Sequence, residues 1–124
     1  MGVLGFLGLV DMKNLVLVGG AGGIGRSLAN RALNDGWDVT VMDLEKSLLK
    51  HPPAKGIHTM SIDLTDPPSI DNAFSDFKQL TGFVNLAGYM QGLNSIAETT
   101  NEDFDEVIDL NLKGAFLVAK QALP

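Results

Sequence analysis

The chain has 124 residues, of which 45% are hydrophobic and 19% charged, with a formal net charge of -6 and no cysteine. These values predict one globular domain with its own core, and the acidic balance disfavours nucleic acid as a partner. Without cysteine the chain has neither disulfides nor thiolate metal sites, and we expect a cytoplasmic protein.

The N-terminal segment 1–12 is apolar, but Asp11 interrupts it and it is too short to cross a bilayer. It lacks the positively charged start of a secretory signal, and Phe6 stands where a myristoylation site has Ser or Thr. We expect Met12 to be the natural start and segment 1–12 to be an extension. The alternative is an additional strand or ordered arm.

The first predicted elements form a βαβ unit. Residues 15–18 are an apolar run before a glycine cluster, which predicts a strand buried on both faces. An amphipathic helix is expected from Gly23 until Gly36. Residues 38–42 alternate polar and apolar and predict the strand that closes a right-handed crossover at Asp43. The expected apolar face of the helix contains Ile24, Leu28, Ala32 and Leu33.

The next elements continue the alternation. Residues 51–56 contain two prolines and predict a turn, and residues 57–64 predict a third strand. A helix then starts with Asp66 as its cap and Pro67 in its first turn. Its apolar stripe is Ile70, Ala73, Phe74 and Phe77.

The last elements are a fourth strand over residues 82–86 and a helix. Thr100 and Asp103 have the spacing of a capping box before this helix. Strand and helix alternate along the whole chain, which predicts an α/β fold with a Rossmann-like, doubly wound parallel sheet. The helix residues expected to face inward are Phe104, Val107, Ile108, Leu112 and Ala115.

The glycine loop GGAGGIG, from Gly19 to Gly25, lies between a predicted strand and a predicted helix. At this position the pyrophosphate of a dinucleotide can meet the unsatisfied N–H groups of a helix N-terminus. The loop fits several glycine spacings, so spacing alone does not select a subfamily. A purely structural turn is the alternative, but the flanking strand and helix and the acid after the next strand favour dinucleotide binding.

Asp43 follows the second strand, 18 residues after Gly25. A carboxylate there can accept both hydroxyls of an adenosine ribose and would repel a 2′-phosphate, so NAD is predicted in preference to NADP. The alternative is that Asp43 only caps the loop before Lys46.

Asn111 falls seven residues after Phe104 and four before Ala115, on the predicted apolar stripe of the last helix. A buried amide needs hydrogen-bond partners, so we expect a polar task for it. The structural alternative is a helix–helix hydrogen bond or a kink near Gly114. His51 and His58 have no clustered ligands around them, so we interpret both as ordinary surface or packing residues and predict no metal site.

Four stretches in order resemble the short-chain dehydrogenase/reductase family: VGGAGGIG, the acid after the second strand, SIDLTD, and VNLAG followed by DLNLKGAFLV. The resemblance covers residues 13–124. Its NLAG and N-L-x-G-x-F features favour the short single-domain reductases over the extended epimerases. It implies strand order 3-2-1-4 and a Rossmann NAD(P)-binding domain, 13–124, that is incomplete at its C-terminal end.

The resemblance also implies a cofactor site and two departures from the family pattern. Leu86 replaces the second Asn of the family's NNAG segment, and Val18 replaces a Thr whose hydroxyl ties the glycine loop to that segment. Asn111 would be the catalytic Asn that holds a water in a proton relay. Gly19, Gly23, Ile24 and Gly25 would hold the pyrophosphate, Asp43 and Leu44 the adenosine ribose, and Asp63 and Leu64 the adenine, while Asn85, Ala87 and Gly88 would line the cofactor cleft.

The implied function is an oxidoreductase that transfers hydride between NAD(H) and a carbonyl or alcohol substrate, as a homo-oligomer in its full-length form. The family's catalytic Ser and Tyr-x-x-x-Lys motif are not found by Pro124, since Tyr89 is the sole tyrosine and Leu93 stands four residues after it. We therefore expect the 124-residue chain alone to be inactive. The alternatives are a non-catalytic dinucleotide-binding module and part of an extended-type epimerase or dehydratase.

Overall fold

The computed structural model describes residues 13–90 and 92–123. The predictions made for segment 1–12 and for Pro124 lie outside these described residues. Four strands pair in parallel into one sheet, in the order β3-β2-β1-β4. This order confirms the doubly wound fold. The strands are β1 (Asn14–Val18), β2 (Asp38–Asp43), β3 (His58–Ser61) and β4 (Gly82–Asn85).

The helices lie between and after the strands. They are α1 (Gly23–Asn34), α2 (Glu45–Lys50), α3 (Pro67–Phe74), α4 (Asn101–Ile108), a π-helical segment (Asp109–Gly114) and α5 (Ala115–Ala122), with one 3-10 turn (Ile96–Glu98). The short α2 was not predicted, although its sequence EKSLLK is rich in good helix formers. The third strand is shorter than the predicted 57–64, since its last hydrogen bond to β2 runs from Ile62 N–H to the Asp43 carbonyl at 2.9 Å, and beyond it Leu64 enters the core.

The sheet is covered on both faces, because successive side chains of a strand point to opposite sides. Leu15 and Leu17 of β1 pack with Val39 and Val41 of β2 on the side of α1. On the other side, Val16, Val18 and Met42 pack with residues of α3 and α5, including Ile70, Phe74 and Val118. The sheet is therefore the middle of three layers. Because both of its faces are covered, a ligand can approach it at the ends of the strands.

Helix α1 packs on the sheet with most of its predicted apolar face, since Ala32 is buried and Leu28 and Leu33 pack against the same cluster. Gly25, Ala29 and Ala32 are buried, whereas Ile24 is 75% exposed, so the expectation that Ile24 faces inward is wrong. A Cβ on Gly25 would lie 2.5 Å from Gly20 Cα. The close approach of α1 to the glycine loop therefore requires glycine on this side and turns Ile24 outward.

Helix α3 begins at the predicted place. Asp66 is its N-cap residue and Pro67 its first residue, but within the described ranges the Asp66 side chain makes no capping hydrogen bond. The backbone carbonyl of Asp66 instead accepts from the N–H groups of Ser69 and Ile70, at 3.0 and 3.3 Å. The predicted stripe is confirmed, since Ile70, Ala73 and Phe74 are buried and Phe77 packs beside them.

The final helical segment starts as predicted but presents another face to the core. The capping box is present: Thr100 Oγ1 accepts from Asp103 N–H at 3.1 Å. The predicted inward stripe is wrong, because Phe104 and Leu112 are 60% and 64% exposed. The π-helical segment closes i to i+5 bonds, so from Asp109 onward it shifts the 3.6-residue period on which the prediction relied, whereas Phe104 lies before this shift. The core side is formed by Leu110, Gly114, Leu117 and Val118.

Strand β4 is fixed at its start by the side chain of Asn14. Its Oδ1 accepts from Thr81 N–H at 2.6 Å, and its Nδ2 donates to the Gln79 carbonyl at 2.7 Å. The Asn14 amide thus provides a hydrogen-bond partner for the Gln79 carbonyl and for the Thr81 N–H, just before the strand begins.

Candidate functional site

A cavity of about 320 Å³ opens at the carboxyl ends of the strands. Its volume lies at the lower end of the range of about 300 to 1,000 Å³ that is usual for small-molecule sites. In open α/β sheets, ligands bind outside the carboxyl ends of the strands. The cavity is lined by Val18, Gly19, Ala21, Gly22, Asp43, Leu44, Ser47, His51, Ile62, Asp63, Leu64, Leu86, Ala87, Gly88 and Leu110.

Seven of the eleven predicted cofactor-binding residues line this cavity. Those that line it are Gly19, Asp43, Leu44, Asp63, Leu64, Ala87 and Gly88. The wall does not include five of the predicted site residues. These are Gly23, Ile24 and Gly25 in the first turn of α1, Asn85 at the end of β4, and Asn111 in the π-helical segment.

Gly19, like Gly25, is a glycine that the fold itself requires. Its φ is +77°, and a Cβ there would lie 2.6 Å from Ala87 N. Its N–H donates to the Met42 carbonyl at 2.7 Å. Gly19 therefore lets the loop after β1 touch the loop after β4, while its own N–H is directed to β2.

The N-terminus of α1 has the features of an anion site. Its cap residue is Gly22, no described side chain caps it, and its first turn holds no acidic residue. The first N–H groups of a helix have no partner inside the helix, and they lie at the positive end of its dipole. A Cβ added to Gly23 would meet nothing within 4 Å, so space is open beside this turn. The N-terminus of α1 therefore fits a phosphate group.

Asp43 connects two segments of the site. Its Oδ2 accepts from the N–H of Ala21 in the glycine loop at 3.0 Å, and its Oδ1 accepts from Leu44 N–H at 2.8 Å. The bond to Leu44 is the kind that the loop-capping alternative expects, but the bond to Ala21 goes beyond it. A carboxylate has about four lone-pair sites, so acceptor capacity remains for a ligand hydroxyl.

Asp63 is held in one orientation by its neighbours. Its Oδ1 accepts from the N–H and the hydroxyl of Thr65, at 2.9 and 2.7 Å, and its own N–H donates to Ser69 Oγ at 2.9 Å. The adjacent Leu64 is buried, and a Cβ on Gly114 would lie 3.0 Å from Leu64 Cβ. The wall after β3 is thus packed tightly against the last helical segment.

The segment after β4 is bonded through the backbone to the end of β1, where the glycine loop begins. Leu86 N–H donates to the Val18 carbonyl at 2.7 Å, and Asn85 Oδ1 accepts from Ala87 N–H at 3.1 Å. The hydroxyl that Val18 lacks is therefore not the sole means of joining these loops.

Asn111 is exposed, so the prediction of a buried amide is wrong. The shifted helix face described above turns Leu110 and Gly114 toward the core instead. The expected polar task is nevertheless present. Asn111 Oδ1 accepts from Tyr89 N–H at 2.8 Å, and Nδ2 donates to the Tyr89 carbonyl at 2.7 Å. This is a helix-to-loop bond, beside a π-helical deformation that ends at Gly114. The catalytic role of Asn111 stays a prediction.

Sequence reasoning missed the contribution of α2. Ser47 lines the cavity, and so does His51, which was interpreted as an ordinary surface or packing residue. Ser47 in α2 and His51, which directly follows it, are spaced four residues apart, as on one side of a helix, and this spacing was the available signal. The other wall residues that were not assigned are Ala21, Gly22, Ile62, Leu86 and Leu110.

Two further structural findings bear on function. In the described ranges, no three His, Cys, Asp or Glu side chains are grouped so that they could hold a metal ion. None of the helices in this same part of the chain has the length and apolar character needed to cross a membrane.

The family model described as short chain dehydrogenase matches residues 13–124. Short chain dehydrogenase/reductase dpmpG of Macrophomina phaseolina is 32% identical over 122 residues, which cover 90% of this chain and 70% of the relative. Dehydrogenase/reductase SDR family member 6 of Xenopus laevis is 30% identical over 119 residues, covering 95% of this chain and 48% of the relative. The mycobacterial 3-oxoacyl-acyl-carrier-protein reductase MabA (Mycobacterium tuberculosis) is 33% identical over 113 residues, covering 89% and 44%.

Solved structures show the same architecture. Actinorhodin polyketide ketoreductase with NADPH, crystallised as a single-residue variant, superposes with a TM-score of 0.77 at 25% identity and covers 90% of this chain and 46% of its own. Levodione reductase gives a TM-score of 0.74 at 25% identity, with 90% and 48% covered. Apart from dpmpG, the chain spans about half the length of these relatives.

Proposed function

Because this chain belongs to the short-chain dehydrogenase family, we propose that it forms the cofactor-binding part of an oxidoreductase acting between NAD(H) and a carbonyl or alcohol substrate. The observation that carries the proposal is one cavity that has the Asp43 carboxylate in its wall and the uncapped N-terminus of α1 beside it. The relatives named as reductases and dehydrogenases support the reaction class. The full-length enzyme is proposed to be a homo-oligomer.

The pyrophosphate end of the site is assigned to the start of α1. Gly23, Ile24 and Gly25 supply the first N–H groups of the helix, which attract a diphosphate through hydrogen bonds and the helix dipole. Gly19 allows the close approach of the two loops beneath this position. The absence of acidic residues from the first turn favours this anion further.

The adenosine end is assigned to the segments after β2 and β3. Asp43 and Leu44 would hold the ribose, and Asp63 and Leu64 would frame the adenine. The Asp43 carboxylate would repel a 2′-phosphate, which is the basis for a preference for NAD. The comparisons give no support for this preference, since a similar structure contains NADPH. The preference therefore rests on Asp43 alone.

The nicotinamide end is assigned to Asn85, which ends β4, and to Ala87 and Gly88 after it. When bound, the nicotinamide ring supplies the site that donates or accepts hydride. The amide of Asn111 holds the backbone of Tyr89, next to Gly88, and so fixes the loop at this end. In the full-length enzyme, Asn111 is further proposed to hold a water molecule in a proton relay.

The test is titration calorimetry of the 124-residue chain with NAD, ADP and nicotinamide mononucleotide. NAD and ADP should bind saturably, because the helix N-terminus and Asp43 both serve the adenosine diphosphate half. Asp43→Ala should weaken both, whereas the control Glu45→Ala, which removes the same charge two residues away, should not. A folded chain that binds neither NAD nor ADP would contradict the proposal.

A further inference from the structure

We propose that Asp43 also holds the glycine loop in its binding shape, so that one carboxylate couples the ribose end of the site to its pyrophosphate end. This inference rests on the proposed function and adds a positioning role to it. The role concerns the ligand-free protein, and it can be measured without any reaction.

Three successive N–H groups of the glycine loop are directed at the end of β2. Those of Gly19 and Gly20 donate to the Met42 carbonyl, at 2.7 and 3.4 Å. The third, of Ala21, donates to Asp43 Oδ2 at 3.0 Å. The Met42 carbonyl belongs to the backbone and persists in any variant, so the Asp43 carboxylate is the acceptor that a side-chain substitution can remove.

The Ala21 N–H depends on this acceptor. Ala21 is buried, with 2% of its surface exposed. A buried N–H that loses its partner destabilises the conformation that buries it. Removal of the Asp43 carboxylate should therefore loosen the loop at Ala21.

The carboxylate itself is held from the opposite side. Its Oδ1 accepts from Leu44 N–H at 2.8 Å, immediately before α2. With one oxygen bonded to each segment, the carboxylate has a fixed orientation between the glycine loop and α2. Bonds from N–H groups to an ionised acceptor are stronger than those between neutral groups.

Ala21 directly precedes the N-terminus of α1, to which the phosphate group is assigned. Gly22 follows Ala21 and is the cap residue of α1. The Gly22 carbonyl accepts from Arg26 N–H at 2.9 Å. A displacement of Ala21 therefore moves the point at which α1 begins. The first N–H groups of α1, which are assigned to the diphosphate, move with it.

This positioning role and a simple ribose contact predict opposite results for a ligand without ribose hydroxyls. If Asp43 served only those hydroxyls, its removal would leave such a ligand unaffected or bind it more tightly, because a negative charge near a diphosphate is lost. If Asp43 holds the loop, its removal weakens binding of the same ligand.

The first experiment compares ADP with 2′,3′-dideoxyadenosine 5′-diphosphate by titration calorimetry. Asp43→Ala should weaken the dideoxy ligand at least about fivefold, the lower end of the effect of a buried unsatisfied group. The control Glu45→Ala removes an equal charge nearby and should leave the affinity unchanged or raise it. Dideoxy affinity in Asp43→Ala that equals or exceeds that of the unmodified chain would overturn the proposal.

The second experiment follows amide hydrogen exchange at Ala21 without ligand. Exchange should be faster in Asp43→Ala, and intermediate in Asp43→Asn, whose one oxygen can serve Ala21 or Leu44 but not both. Unchanged exchange at Ala21 in a folded variant would overturn the positioning role. If the chain bound no ADP at all, the proposed function would fail, while this measurement would still decide the positioning role. Asp43→Asn keeps the test available if Asp43→Ala does not fold.

Discussion

The side-chain amide of Asn111 pairs with both backbone groups of a single residue, Tyr89. Nδ2 donates to the Tyr89 carbonyl at 2.7 Å, and Oδ1 accepts the Tyr89 N–H at 2.8 Å. A Cβ on the preceding Gly88 would lie 3.9 Å from the same Oδ1. The π-helical segment and the loop after β4 are therefore joined where the loop lines the cavity.

Asn111→Ala should loosen the loop at Tyr89. Two hydrogen bonds are lost, and because the site is exposed, water replaces part of them, so we expect a loss of about 0.5–1.5 kcal/mol in the free energy of unfolding. The measurements are urea unfolding and amide exchange at Tyr89. Asn30→Ala, an exposed asparagine on α1, is the control. Tyr89 exchange that is the same in both variants would show that the pairing does not hold the loop.

Asp43→Ala should reduce the preference for NAD over NADP by roughly 1–3 kcal/mol, the scale of a charged hydrogen bond. The reason is that the repulsion of a 2′-phosphate is lost together with the acceptor for the ribose hydroxyls. Both cofactors are titrated into the unmodified chain and the variant. Tighter binding of NADP than of NAD by the unmodified chain would contradict the assignment of Asp43.

Gly19→Ala and Gly23→Ala should separate folding from binding. At Gly19 a side chain must adopt a φ of +77° and clash with Ala87, so stability should fall by roughly 1–2 kcal/mol from the conformation alone. At Gly23 a Cβ meets nothing within 4 Å, so stability should be kept while ADP affinity falls. Thermal unfolding and titration calorimetry measure the two effects. Equal losses of stability in both variants would be inconsistent with this interpretation.

The exposed apolar stripe of the last helical segment should make the 124-residue chain self-associate. Phe104, Ile108, Leu112 and Phe116 lie along it, and contiguous exposed apolar surface promotes association. Phe104→Ser combined with Leu112→Ser should lower the apparent mass in light scattering. The control Leu49→Ser changes an exposed leucine of α2 instead. A monodisperse monomer at all concentrations before any substitution would disprove the expectation.

The 124-residue chain should show no dehydrogenase turnover. Tyr89 is its sole tyrosine, Leu93 rather than Lys stands four residues later, and Asn111 alone has no proton to relay. The chain is incubated with NADH and a panel of ketones while the absorbance of the reduced nicotinamide is followed. Turnover that survives in Asn111→Ala would show that another group performs the chemistry.

The sheet could be predicted because β1 is a run of Leu and Val that ends at a glycine, β2 alternates Val with other residues and ends at an acid, and parallel strands bring such ends together. Asp43 could therefore be assigned to this edge from its position after the second strand, whereas Asp63 and Gly88 were assigned by the family resemblance. The orientation of Asn111 could not be predicted, because a π-helical turn shifts the face of a helix without a clear mark in the sequence. The bond from Ala21 to Asp43 was equally out of reach, since it joins residues 22 positions apart.

The two asparagine pairings at β4 also determine how this strand can align. A shift by one residue would exchange Phe83 and Val84 between the two packed faces of the sheet, whereas a shift by two residues leaves every side chain on its own face. Asn14 binds the backbone at 79 and 81, and Asn111 binds it at 89, so both fixed points lie outside the strand and flank it. A shift by two would break both pairings at once. The two amides thus select one alignment of β4 with β1 among those that the apolar pattern permits.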